Sequence, residues 1–184
     1  LEFLLKYGNE IFPGAPIVFC GVDRRELGNR PLPPDVYGVL MKRAFAPTVD
    51  IALRLHPQTT HVAVVAGTSD FDNLILQQAK QEFRGYEDRL TFIYLNGLPL
   101  EKLLDELRRF PPHTLSVFVT VFYPGAGPAF LPHNVLPRVS PAANAPLFGF
   151  LDPYLWRGLL GGSLYCPPAI GGGAAKLVLR VFVG

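Results

Sequence analysis

Charge, sulfur and long apolar runs are all scarce in this sequence. Charged residues make up 17% of its 184 positions, and 17 Lys+Arg against 15 Asp+Glu leave a net charge of +2. So small a surplus excludes a strongly basic nucleic-acid binder and gives no support to an electrostatic membrane anchor. There are 2 cysteines, Cys20 and Cys166, with no CxxC and no metal-ligand spacing. Their plainest reading is two half-buried thiols. No apolar run reaches the roughly 18 residues of a membrane span. The longest, 115–123 and 177–183, fit a strand and a helix face. The opening Leu1-Glu2-Phe3 lacks the basic region and cleavage site of a signal peptide. Without a methionine it fits an internal piece of a longer protein or a trimmed purification product.

Hydrophobic residues make up 49% of the chain, enough apolar surface to offset ordering entropy. Its length suits about one domain or two small lobes. With 18 Gly and 19 Pro, helices must be short and loops frequent. Runs at 17–22, 62–66, 91–95, 115–122 and 147–151 are short and rich in Val, Phe, Ile, Leu or Tyr, as expected of parallel strands covered on both faces. Between them the period is helical. Leu100, Leu103, Leu104 and Leu107 form one stripe, opened by Pro99 and closed by Pro111-Pro112. Phe71, Leu74, Ile75, Ala79 and Phe83 form a second, with Ser69 and Asp72 spaced as a capping box. Val49, Ala52, Leu53 and His56 make a short helix closed by Pro57, and Ala174, Leu177, Val178, Val181 and Phe182 a last stripe. This alternation predicts βαβ units, a Rossmann-like, doubly wound, mainly parallel α/β sheet with helices on both faces.

In such a sheet, ligands bind beyond the carboxyl ends of the strands. That selects three loops. The first holds Thr68, Ser69, Asp70 and Phe71, whose hydroxyls and free helix N–H groups suit an anionic or polar group. Ser69 can equally be a simple N-cap. The second holds Tyr123, Gly125 and Gly127, a flexible ligand loop with a stacking wall or a Pro/Gly turn with a packed tyrosine. The third holds Asp152 and Tyr154, a binding wall or a capped turn. No catalytic residue, metal ligand or cofactor site stands out. Gly125-Ala126-Gly127 lacks the third glycine of GxGxxG, and no GxxxxGK[ST], HExxH or GxSxG occurs. His56, His61 and His113 fall at turns or strand starts, away from the predicted site, as solvent-facing or capping residues. His133 lies just past the glycine loop. Gly171-Gly172-Gly173 reads as a loose helix start.

Several segments in order carry a resemblance: Ile11-Phe12-Pro13-Gly14-Ala15-Pro16-Ile17-Val18-Phe19-Cys20-Gly21-Val22, Ala52-Leu53-Arg54-Leu55-His56-Pro57, Gly97-Leu98-Pro99-Leu100, Ala142-Ala143-Asn144-Ala145-Pro146-Leu147-Phe148-Gly149, and Asp152-Pro153-Tyr154-Leu155-Trp156-Arg157-Gly158. Together they resemble the substrate-binding proteins related to ABC transporters. Within that family they are nearest to the periplasmic sensor domains of bacterial histidine kinases. The resemblance implies a type I periplasmic-binding-protein fold, with one complete lobe and part of a second. Residues 1–45 would be part of the first lobe and a crossover, 46–161 the second lobe, and 162–184 the crossover back and a C-terminal helix. About a hundred residues of the first lobe would lie upstream. It further implies a small-molecule ligand in an inter-lobe cleft, a periplasmic or other extracytoplasmic location, and signal transduction or ABC transport without catalysis. The partner in the full-length system would be a membrane kinase or transporter, with no nucleic acid and no direct membrane insertion. The competing readings are an enzyme on a doubly wound sheet, such as a hydrolase or nucleotide-sugar enzyme, and a structural partner domain. Two departures set further expectations. Pro137 and Pro141 should break the helix over 131–143, at about 3 kcal/mol each in a regular interior. Cys20 and Cys166 fall in different crossover regions, so no disulfide is expected, since bridging needs Cα atoms within about 7 Å.

Overall fold

The computed structural model describes residues 1–29 and 31–183. In chain order the elements are α1 (Glu2–Ile11), β1 (Ile17–Asp23), α2 (Arg24–Leu27), β2 (Val36–Met41), α3 (Phe45–Leu55), β3 (His61–Ala66), α4 (Asp70–Phe83), β4 (Thr91–Leu95), α5 (Leu100–Leu107), β5 (Thr114–Thr120), α6 (Pro132–Ala142), β6 (Leu147–Phe148) and α7 (Pro167–Val183). Short 3₁₀ turns cover Arg84–Tyr86 and Asp152–Arg157. The chain divides into two compact units, Leu1–Arg43 with Tyr165–Gly184, and Ala44–Leu164. Among the described residues no helix is long and apolar enough to cross a membrane.

The larger unit is built on a four-stranded sheet in the order β4-β3-β5-β6, every pairing parallel. Val62, Ala63, Val64 and Val65 are all buried, as is every residue of β5. A strand whose neighbouring side chains are all buried has both faces covered, which parallel crossovers achieve with helices. This is the Rossmann-like, doubly wound α/β arrangement that the alternating runs predict. One side of the core joins Phe118 and Val121 to Leu100, Leu103, Leu104 and Leu107 of α5 and to Val135, Leu136 and Val139 of α6. Elsewhere Phe45 packs edge-on to Phe83 and Phe150.

Two expectations need correction. The run at 147–151 shortens to Leu147–Phe148, paired with Ser116 and Val117. Beyond it Gly149 N donates to Gly161 O at 3.0 Å, and Phe148 forms a bridge with Gly161, so the returning chain covers this edge. The helix expected to break between 131 and 143 is instead continuous over Pro132–Ala142. Pro137 and Pro141 lie one turn apart on its exposed side, while Val135, Leu136, Val139 and Ala142 are buried. The carbonyls that lose their N–H partners therefore have water available, and the buried stripe holds the helix together.

The smaller unit pairs β1 with β2 in parallel, with a bulge between Cys20 and Val22 where Gly21 takes φ +73°. The Phe19 ring packs over Gly38 where a side chain at that position would begin, so a larger residue there would have to displace the ring. The last helix starts at Pro167, before the three glycines, and packs on β1 and β2. Asp23, at the end of β1, is buried and accepts from Arg25 Nε (2.9 Å) and Nη2 (2.7 Å) and from Arg43 N (3.0 Å). Burial alone would raise its carboxyl pKa; the bonds from Arg25 and the Arg43 amide outweigh it and hold the group well below the usual carboxylate range. Cys20 is exposed and Cys166 partly buried, both as free thiols.

Candidate functional site

The connection after β3 leads to β4 on one side, while β5 lies on the other side of β3. The strand order therefore reverses between β3 and β5, and a doubly wound sheet leaves its binding crevice beyond the carboxyl ends of such a pair. Two of the three predicted loops, those after β3 and β5, start here.

The first loop is set by a helix start. Ser69 takes extended backbone angles and its hydroxyl accepts from Asp72 N at 3.0 Å, while Ser69 N donates back to Asp72 Oδ2 at 3.1 Å. That reciprocal pair is the capping box read from the spacing. Asp72 also reaches across to the second loop. Its fully buried carboxylate accepts from Phe122 N (3.0 Å) and Tyr123 N (3.2 Å). Thr68 completes the seam, its N–H and hydroxyl both donating to Tyr123 O, at 2.7 and 3.1 Å. A Cβ on Gly67 would collide with the Asp72 carboxylate and would sit 2.6 Å from Tyr123 O, so the two loops meet backbone to backbone only because that residue is glycine. The connection after β4 joins them, as Gly125 N donates to Leu98 O at 2.8 Å.

The predicted residues fall into three groups. Thr68 and Ser69 are partly buried, with their hydroxyls engaged by the protein itself. Asp70, Phe71, Tyr123, Gly125 and Gly127 line the exposed surface of the seam, with Phe71 held edge-on to Phe122 at 5.7 Å. Tyr123 is 49% exposed, so a large part of its ring is open to a ligand. Asp152 and Tyr154 belong to the 3₁₀ turn that follows β6, the strand beside β5. No described hydrogen bond joins Asp152 to the other two loops, and its buried Oδ1 has no partner. Tyr154 is buried, its ring edge-on to Phe118 at 5.7 Å, and so belongs to the core rather than to an open wall.

The electrostatics are those of a carboxylate-bearing edge. Asp70 and Asp72 occupy the first turn of α4 and already complement its positive end. A polar or cationic group suits this surface better than the anion a bare helix start would favour. The role of Asp72 as the tie between the loops was not legible in the sequence beyond its place three residues after Ser69. Nor was Gly67, whose only mark is its position directly after an apolar run. Among the described residues no group of three or more His, Cys, Asp or Glu is placed to hold a metal ion. Comparison with protein-family models, with curated proteins and with solved structures finds no match.

Proposed function

We propose that the chain is a small-molecule-binding domain of the periplasmic-binding-protein kind, extracytoplasmic and coupled to a membrane sensor kinase or to an ABC transporter. It holds its ligand and does not transform it. The observation that carries this reading is the seam at the β3–β5 switch point, where Asp72 and Thr68 fix the loops that present Asp70, Phe71 and Tyr123. A surface fixed before the ligand arrives loses little further freedom on binding, which favours affinity. The ordered resemblance of the chain to that family supports the same reading.

A thermal-shift screen of amino acids, sugars, nucleosides and aromatic acids against this chain and against a longer two-lobed form tests it. The expected result is a saturable rise in melting temperature with one class. Tyr123→Ala should weaken that ligand without unfolding the protein. Asp152→Ala should remove a charge-assisted hydrogen bond, about 1.5–3 kcal/mol or roughly tenfold in affinity. Unchanged affinity in both variants removes these loops from the site. Chemical turnover of the bound compound replaces the binding reading with an enzyme.

A further inference from the structure

The larger unit has an open, solvent-facing cavity of about 590 Å³ at the opposite, amino-terminal edge of its sheet, most of whose lining residues are exposed. It lies between the α3–β3, α5–β5 and α6–β6 connections, and its volume is in the range of small-molecule sites. Four of its lining residues, Pro57, Pro111, Pro112 and Pro146, are prolines and bring no N–H donor. Three polar side chains are already spent on backbone carbonyls. Thr59 Oγ1 donates to His56 O at 2.7 Å, Thr114 Oγ1 to Pro111 O at 2.7 Å, and Asn144 Nδ2 to Phe110 O at 3.1 Å. That leaves the side chains of His56, Gln58 and His113, which enter none of the described hydrogen bonds, beside a flat apolar wall at Phe110. The His56 ring is itself braced edge-on by Phe148 at a centroid distance of 6.0 Å.

The charge of an occupant follows from its surroundings. No Asp, Glu, Lys or Arg lines the cavity. Helices α3, α5 and α6 all end at this edge, and their terminal carbonyls disfavour an anion. Arg54 and Arg109 adjoin the lining segments in sequence but are not among the residues that line the cavity.

His113 points the same way. It is the single non-glycine residue with positive φ (+62°) among those described. Its carbonyl accepts from Thr60 N at 2.9 Å and His61 N at 3.2 Å, tying the start of β5 to β3. Those bonds account for the backbone, and glycine would make them with less strain. They do not account for an imidazole at the cavity wall.

We infer that this cavity is a second binding site, for an uncharged planar nitrogen heterocycle of the nucleobase type. Its ring N–H and amino groups would meet the carbonyl-rich edge, its ring nitrogens the N–H groups of His56, Gln58 and His113, and its faces the prolines and Phe110.

The test is a two-dimensional NMR titration of the whole chain with adenine, with benzoate, benzylamine and a short oligoadenylate as comparison probes. Saturable shifts are expected in 55–60 and 110–114, with none at 68–71 or 121–130. His113→Gly keeps the left-handed turn and removes the imidazole. It should melt no lower than the wild type yet bind adenine about tenfold more weakly, as should His56→Gln. The inference fails if adenine gives no saturable shift, if either charged probe binds as well, or if His113→Gly binds adenine like the wild type. Tighter binding of the oligoadenylate would make the surface a nucleic-acid contact and overturn it equally.

Discussion

Asp72 is a buried carboxylate whose partners are backbone N–H groups of Ser69, Phe122 and Tyr123 rather than a cation. Asp72→Asn has nearly the same shape but turns an amino group toward those donors. The variant should lose about 2–3 kcal/mol in urea unfolding, since charged hydrogen bonds are lost and buried donors left unmet. Little loss would mean that the seam is held by packing instead. Ser116 presents the reverse case, a fully buried hydroxyl with no hydrogen-bond partner. Ser116→Ala should leave stability unchanged or raise it by up to about 1 kcal/mol, because nothing is left unpaired. A clear loss in the same unfolding measurement would reveal a bond to this oxygen. The Tyr86 hydroxyl has two acceptors within reach of its single proton, Asp50 Oδ1 at 2.7 Å and Ala46 O at 3.0 Å. Burial, then the Asp50 carboxylate, push its phenol pKa up to about 12. The neutral form is thus favoured in the folded state: its contribution is whole below the ordinary value near 10 and is lost as pH rises toward 12. Tyr86→Phe should therefore flatten the alkaline fall in melting temperature over that interval. An unchanged alkaline limb would contradict this.

Helix α6 shows how an exposed face tolerates what a buried one would not. Its two internal prolines leave carbonyls without their helical partners, yet the buried stripe of Val135, Leu136 and Val139 keeps the helix continuous. Pro137→Ala restores the missing N–H and removes the ring clash. The variant should gain about 1–3 kcal/mol, with the upper end set by the full cost of a proline in a helix interior. No gain in the urea midpoint would show that the helix has already relaxed around the ring. The connections after β3 and β5 have the opposite economy, since they depend on an atom that is not there. A Cβ at Gly67 meets the Asp72 carboxylate and Tyr123 O, and one at Gly125 meets the Gly97 carbonyl.

The two units differ in how much apolar surface they bury. The buried hydrophobic residues lie almost entirely between Phe45 and Leu159; the smaller unit contributes Phe19 and Val36. Its last helix buries none of its described residues, and Phe3, Phe12, Leu179 and Phe182 are exposed. A two-stranded sheet with so little core is marginal in water. Amide hydrogen exchange should accordingly be slowest in β3 and β5, near the global unfolding limit, and orders of magnitude faster in β1 and β2. Equal protection in both pairs would contradict this. Acid should separate the units in the same sense. Asp23 is held below its ordinary range, so its contribution is present above about pH 4 and lost on acidification, loosening the end of β1 first.

Much of this was written in the order of the residues. The apolar runs at 62–66, 91–95 and 115–122 marked β3, β4 and β5, because strands of a parallel sheet covered by helices are apolar at most positions, with β4 at the edge only partly buried and β5 admitting Ser116 and Thr120 among its buried residues. The leucine stripe from Leu100 and the Ser69–Asp72 spacing marked α5 and the start of α4, because both are local patterns of period and hydrogen bonding. The strand order was not local. It emerges only when β5 passes β4 to pair with β3, and that step puts Thr68 beside Tyr123 and gives Asp72 its partners some fifty residues away. Burial was decided at the same level. Tyr154 follows β6 as Tyr123 follows β5, yet one ring is enclosed against Phe118 and the other is open, since the space each meets belongs to distant parts of the chain. The continuity of α6 was settled there too, because a proline's cost depends on whether its orphaned carbonyl faces water or core.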